Sequence, residues 1–223
     1  MSKKTLHILM IDDHPSMIEG YKSILSFNDL GLNFKVTPAY DCESAYSIIN
    51  TTESEKAFDF AFVDLSLPTF LEKNIKSGED LALLIKNKFP TCKIVILTSH
   101  AEAFILDNIQ KNIEPIGILV KSDFTADEFL MAFEKMYKNH VYTSKTVNSN
   151  IAELQSINTV LDEVDLKLIV LLSQGVKTKN LPQHMNLSIS AIDKRKANIK
   201  SFFKIVKGSD EDIIFRAKKH GII

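Results

Sequence analysis

The sequence predicts an α/β fold, a five-stranded parallel doubly wound (flavodoxin-like) sheet, followed by a smaller all-α domain of four helices. Three observations predict it. Over the first 140 residues, short apolar runs alternate with longer amphipathic stretches, five of each. Those runs are nearly continuous in Val, Ile, Leu and Phe, as strands buried on both faces are. From Leu161 onward the apolar spacing is helical throughout.

The strands are read at 6–11 (LHILMI, five of six apolar), 33–38, 58–63, 93–98 (KIVILT) and 116–120. Helices alternate with them at 15–27, 42–51, 78–89, 102–112 and 124–138. Residues 141–160 (VYTSKTVNSNIAELQSINTV) are rich in Ser, Thr and Asn and read as a linker with a short helix at 150–156. Four helices follow at 162–174, 178–186, 189–203 and 209–220, with Gly175 as the stop of the first. The expected organisation is a domain at 1–140, a linker at 141–160 and a second domain at 161–223.

Composition fits a globular protein: 223 residues, 45% hydrophobic and 25% charged. No apolar run approaches the ~20 residues of a membrane span. The N-terminal apolar run stops at two aspartates, unlike a signal peptide. Cys42 and Cys92 lack metal-ligand spacing and read as reduced thiols, which places the chain in the cytoplasm. The net charge of −1 hides an asymmetry. Residues 1–160 carry 15 Lys+Arg against 21 Asp+Glu, whereas 161–223 carry 12 against 7. That basic balance suits a nucleic-acid partner for the C-terminal part.

In doubly wound sheets, functional groups collect at the carboxyl ends of the strands. Here the first strand ends in Asp12-Asp13, the third in Asp64, the fourth in Thr98 and the fifth in Lys121. Adjacent carboxylates repel unless a positive group stands between them. A hard cation such as Mg²⁺ takes a few carboxylate oxygens and welcomes phosphate. Asp64 is then a nucleophile for a phosphoryl group, with Lys121 and Thr98 stabilising its oxygens.

Residues 6–138 resemble the receiver domain of two-component response regulators. "IDDHPSMIEGYKSIL" is similar to the first strand and helix of the NarL/FixJ (LuxR-type) subfamily, and "VDLSLP", "LTS" and "LVKSD" match the other receiver motifs. The resemblance implies that Asp64 is the phosphoacceptor. It also implies that Asp13, Asp12, Asp64 and the Ser66 carbonyl hold the metal, with Thr98 and Lys121 as the switch pair. Ser66 and His100 would flank the hydrolytic water. Two features depart from the family. Ile118 stands where an aromatic ring is usual, and about six extra residues lie between Pro68 and Gly78.

The C-terminal stretch contains a buried stripe of Leu166, Ile169, Val170 and Leu172. "QGVKTKNLPQHMNLS" then enters a helix-turn-helix. Pro182 is tolerated only in a first turn, so that helix starts late or bends. In the next helix, Ile192, Ile199 and Phe203 fall at i, i+7 and i+11 and point inward. Ser188 or Ser190 can cap it, and Ser190-x-x-Asp193 fits a capping box. The basic run on it suits the major groove. The stretch resembles the LuxR-type DNA-binding domain, except that Asp193 replaces a lysine. The chosen DNA contacts are Lys194, Arg195, Lys196 and Lys200, then Lys177 and Lys179.

The resulting expectation is a phosphorylation-controlled transcriptional regulator and not an enzyme. Its partners are a sensor histidine kinase, double-stranded promoter DNA and a second copy of itself when active. The rival is a phosphorylation-independent receiver acting through protein contacts, supported by Ile118. A haloacid-dehalogenase-type phosphatase needs D-x-D on its first strand, whereas these aspartates are adjacent.

Overall fold

The computed structural model describes residues 4–55, 57–157 and 160–223, the side chains of 153–157 aside. The chain divides into two compact units, one of Met1–His100 and Asn108–Val147, the other of Ala101–Asp107 and Asn148–Ile223. Residues 158–159 of the expected linker lie outside the described residues.

The sheet strands are β1 Thr5–Ile11, β2 Asn33–Ala39, β3 Phe60–Asp64, β4 Lys93–Thr98, β5 Gly117–Val120 and β6 Tyr142–Thr143. All pair in parallel, in the order β2-β1-β3-β4-β5-β6. The fold class is therefore the expected one, with a correction of five strands to six. The sixth has two residues and pairs Gly117 with Tyr142 and Ile118 with Thr143. The third starts at Phe60, two residues later than the apolar run suggested, although Asp59 N–H already donates to the His7 carbonyl just ahead of it.

Between the strands run α1 Pro15–Ser26, α2 Cys42–Thr51, α3 Gly78–Lys88, α4 Ala103–Ile113 and α5 Ala126–Tyr137. Alternate residues of the inner strands, among them Leu6, Ile8, Met10, Phe60, Phe62 and Leu119, pack with Ile18, Tyr21, Phe129 and Phe133 of α1 and α5. Reciprocal capping boxes start α2 (Asp41–Ser44) and α5 (Thr125–Glu128), satisfying backbone donors that a helix start leaves open. In place of a mostly irregular linker, α6 runs Lys145–Ile157.

The second unit holds α7 Glu163–Ser173, α8 Leu181–Met185, α9 Ile189–Phe202 and α10 Asp210–Lys219. Gly175 follows α7 at φ +81, where its N–H donates to the Leu172 carbonyl. Pro182 sits in the first turn of α8, after a 3-10 turn at Thr178–Asn180. Ser188, not Ser190, caps α9. The core joins Leu166, Ile169, Leu172, Leu181, Ile192, Ile199 and Phe203. Leu168 is buried too, while the expected core residue Val170 is only half-buried.

Candidate functional site

Strand ends bring the acidic groups together at the carboxyl edge of the sheet. Asp12 and Asp64 are each 3% exposed and face a common cation. Lys121 Nζ donates to Asp12 Oδ2 at 2.7 Å and to Asp64 Oδ2 at 2.8 Å. Burial works against that ammonium, but the hydrogen bonds and the charges of both carboxylates outweigh it and raise its pKa. The remaining oxygens are fixed by backbone: Asp12 Oδ1 accepts from His14 N–H at 3.0 Å and Asp64 Oδ1 from Ser66 N–H at 3.2 Å.

Thr98 is fully buried, its Oγ1 accepting from His100 N–H at 2.9 Å. Its carbonyl accepts from Lys121 N–H at 2.7 Å, tying the ends of β4 and β5. Ser66 Oγ and His100 Nε2 lie 3.0 Å apart, so the residues two past Asp64 and two past Thr98 meet across the site. Gly78 N–H donates to the Leu65 carbonyl, and a Cβ at Gly78 would lie 1.8 Å from the Asp64 carbonyl oxygen. Only glycine permits that approach.

The extra residues before Gly78 form a closed turn. Phe70 and Ile75 pair as an antiparallel bridge around a 3-10 turn, with Asn74 left-handed. The Phe70 ring sits edge-on to Tyr46 at 5.7 Å.

Asp13 follows Asp12 at the end of β1. Its buried Oδ1 accepts no hydrogen bond among the described residues, but His14 Nδ1 lies 2.7 Å from it, an ion pair when the imidazole is protonated. Possible ligand atoms of Asp12, Asp13 and His14 all lie within 4.8 Å of one another. Two carboxylates whose oxygens converge this closely fit a hard divalent cation. Asp64 is not in that group; Lys121 lies between it and Asp12. His14 joins the group with no sequence signal beyond its place after Asp13.

The basic helix is less available than its composition suggests. Arg195 Nη1 contacts Asp162 and Asp165, each at 2.8 Å, and Asp165 is buried. Lys196 Nζ lies 2.6 Å from Asp210 Oδ1 and donates to Thr178 Oγ1 at 2.9 Å. Lys200 Nζ donates to the Gly208 carbonyl at 2.6 Å. These three chosen DNA contacts thus close the C-terminal unit on itself. Lys194 is exposed, on one helix face with Asp193, Ala197, Asn198 and Ser201; Lys177 and Lys179 are exposed beside the 3-10 turn.

The model of the response regulator receiver domain matches residues 8–132, more than half of the chain. The chain belongs to the response regulator family. Its relatives align along nearly the whole chain, as the LuxR-type resemblance implies. The oxygen regulatory protein NreC of Staphylococcus carnosus is 23% identical, over 96% of this chain and 98% of its own length. The nitrate/nitrite response regulator protein NarP of Escherichia coli is 26% identical, over 87% of this chain and 89% of its own. Among solved structures, RcsB of Salmonella enterica bound to promoter DNA with the phosphomimetic BeF₃⁻ shares the fold. Its TM-score is 0.66 and its identity 19%, with 98% of this chain and 99% of that one covered. A LuxR-family response regulator from Aurantimonas sp. gives 0.56 at 24% identity, over 69% of this chain and 99% of its own. No helix among the described residues is long and apolar enough to cross a membrane.

Proposed function

We propose that this response regulator is a cytoplasmic transcriptional regulator switched by phosphorylation at Asp64, with residues 161–223 as its DNA-binding domain. The observation that carries the reading is Lys121, held between the buried carboxylates of Asp12 and Asp64 at three strand ends. Two buried acids share a single ammonium, so negative charge remains for a further cation to offset, and cations at this edge suit a phosphoryl group. In the transfer, an Asp64 oxygen attacks phosphorus. The bond to the donor histidine nitrogen of a sensor kinase breaks, and that nitrogen keeps the electron pair. Lys121 and the Thr98 hydroxyl stabilise the equatorial oxygens. Asp12, Asp13 and Asp64 would hold Mg²⁺ with the Ser66 carbonyl, and the ion would neutralise charge on the incoming group. The protein takes up and loses a phosphoryl group but turns over no other substrate.

The exposed face of α9 is the surface offered to DNA. Lys194 supplies phosphate contact with Lys177 and Lys179 behind it, while Asp193 and Asn198 suit base edges, cytosine N4 and adenine respectively. Arg195, Lys196 and Lys200 hold that face in position. RcsB, solved on promoter DNA and, separately, as two dimers on two parallel DNAs, supports DNA and self-association as partners.

The test is intact mass after incubation with acetyl phosphate and Mg²⁺, for wild type and Asp64→Asn. One added phosphoryl group in wild type alone supports the reading. Absence from both, with a known receiver labelled in parallel, favours the phosphorylation-independent alternative, for which buried, ring-free Ile118 on β5 speaks.

A further inference from the structure

The acid pocket has a buried neighbour that none of the steps above uses. Tyr21 lies on the inner face of α1 and is 4% exposed, yet its hydroxyl has no hydrogen-bond partner among the described residues. Leaving a buried hydroxyl unpaired costs stability, and a native site that keeps one calls for an explanation. Phenylalanine would pack equally well among the rings there: Phe129 stacks on Tyr21 at 5.0 Å and Phe124 lies at 6.4 Å. Phe124 is three residues past Lys121, so the Tyr21 ring touches the loop that carries the ammonium. Burial first, then the charges of Asp12 and Asp64, raise the phenol pKa. The hydroxyl is a donor, and the nearby acids are acceptors.

The resting site gives that donor nothing to do, because Lys121 serves both carboxylates. With a phosphoryl group on Asp64, Lys121 would turn toward the new anion, and the two oxygens of Asp12 could then serve both Mg²⁺ and a further donor. We propose that Tyr21 is a positioning residue whose hydroxyl then hydrogen-bonds to the acid pocket at Asp12, stabilising the phosphorylated arrangement. This rests on the phosphoacceptor reading of Asp64. The role suits a chain with Ile118 in the usual aromatic place, since the ring cluster beneath the β5–α5 loop supplies a polar aromatic group from α1 instead.

The test compares wild type with Tyr21→Phe, which removes the hydroxyl and keeps the ring. Binding of beryllofluoride with Mg²⁺ is followed by fluorine NMR, and urea unfolding is measured without ligand. A hydrogen bond made only in the occupied state predicts beryllofluoride binding about tenfold weaker in Tyr21→Phe, or ~1.4 kcal/mol. It also predicts a tyrosine difference spectrum on ligand addition that Tyr21→Phe lacks. The unliganded variant should be at least as resistant to urea as wild type. Equal affinity and no difference spectrum would overturn the proposal and leave the hydroxyl an unused buried group. Failure of wild type to bind beryllofluoride would instead remove the phosphoacceptor reading itself, and this inference with it.

Discussion

Asp123 holds the first turn of α6 through Thr146: its Oδ2 accepts from Thr146 N–H at 2.8 Å and its Oδ1 from Thr146 Oγ1 at 2.6 Å. The same carboxylate accepts from the buried Ser144 Oγ at 2.6 Å, which in turn accepts from Val120 N–H at 3.1 Å. The loop two residues past Lys121 is thereby tied to the start of a helix far along the chain. Asp123→Ala removes three hydrogen bonds and leaves Ser144 short of an acceptor. A loss of about 1–3 kcal/mol is expected in urea unfolding, with faster amide exchange at Thr146. Unchanged exchange there would show that the helix start stands without Asp123.

Mg²⁺ should stabilise the folded chain before any phosphoryl group is present, because the adjacent carboxylates of Asp12 and Asp13 gain a shared cation. At a concentration one hundred times the dissociation constant, the gain is about 2.7 kcal/mol. Urea midpoints with and without Mg²⁺ measure it. Asp13→Asn should abolish the difference, and an equal Mg²⁺ effect in that variant would place the ion elsewhere.

The two kinds of lysine and arginine on α9 should separate experimentally. Lys194→Ala is expected to keep the thermal midpoint and to reduce the log–log salt slope of DNA binding by about 1. Arg195→Ala should behave oppositely. It strands the buried Asp165 and costs about 1–3 kcal/mol of folding stability. Fluorescence anisotropy on promoter fragments and thermal melts read the two effects. Reversed phenotypes would return Arg195 to the DNA surface.

Acid should unfold both units through named carboxylates. For Asp123, burial raises the pKa, but hydrogen bonds from Ser144 and Thr146 and the charge of Lys145 bring it below the usual value. Asp162 and Asp210 are likewise lowered against burial, by Arg195 and by Lys196 with Thr178. A folded pKa below the unfolded one means stability that is present above about pH 4 and lost as pH falls through the lower folded value. Urea midpoints between about pH 6 and pH 3 should therefore decline, and Asp123→Asn should flatten part of that decline.

Much of this protein could be read from its sequence because strand ends are written in it. The apolar runs end at Ile11, Val63, Thr98 and Val120, and a parallel sheet places all those ends on one edge. Asp12, Asp64, Thr98 and Lys121 could thus be assembled by spacing alone. The inward residues Ile192, Ile199 and Phe203 were legible for the same reason, since helical period and burial go together.

Tertiary structure decided what periodicity does not encode. Tyr142 and Thr143 become β6 because the edge of β5 is open to them, although their neighbourhood has the composition of a loop. Arg195, Lys196 and Lys200 look alike with Lys194 as basic residues on one helix. Only the fold brings Asp162, Asp165, Asp210 and the Gly208 carbonyl against the first three, from up to 33 residues away. The buried Tyr21 hydroxyl and the Asp13 oxygen 2.7 Å from His14 Nδ1 are invisible for the same reason. Sequence specifies which groups carry charge or protons, whereas partnership at 3 Å depends on distances set by every element packed around them.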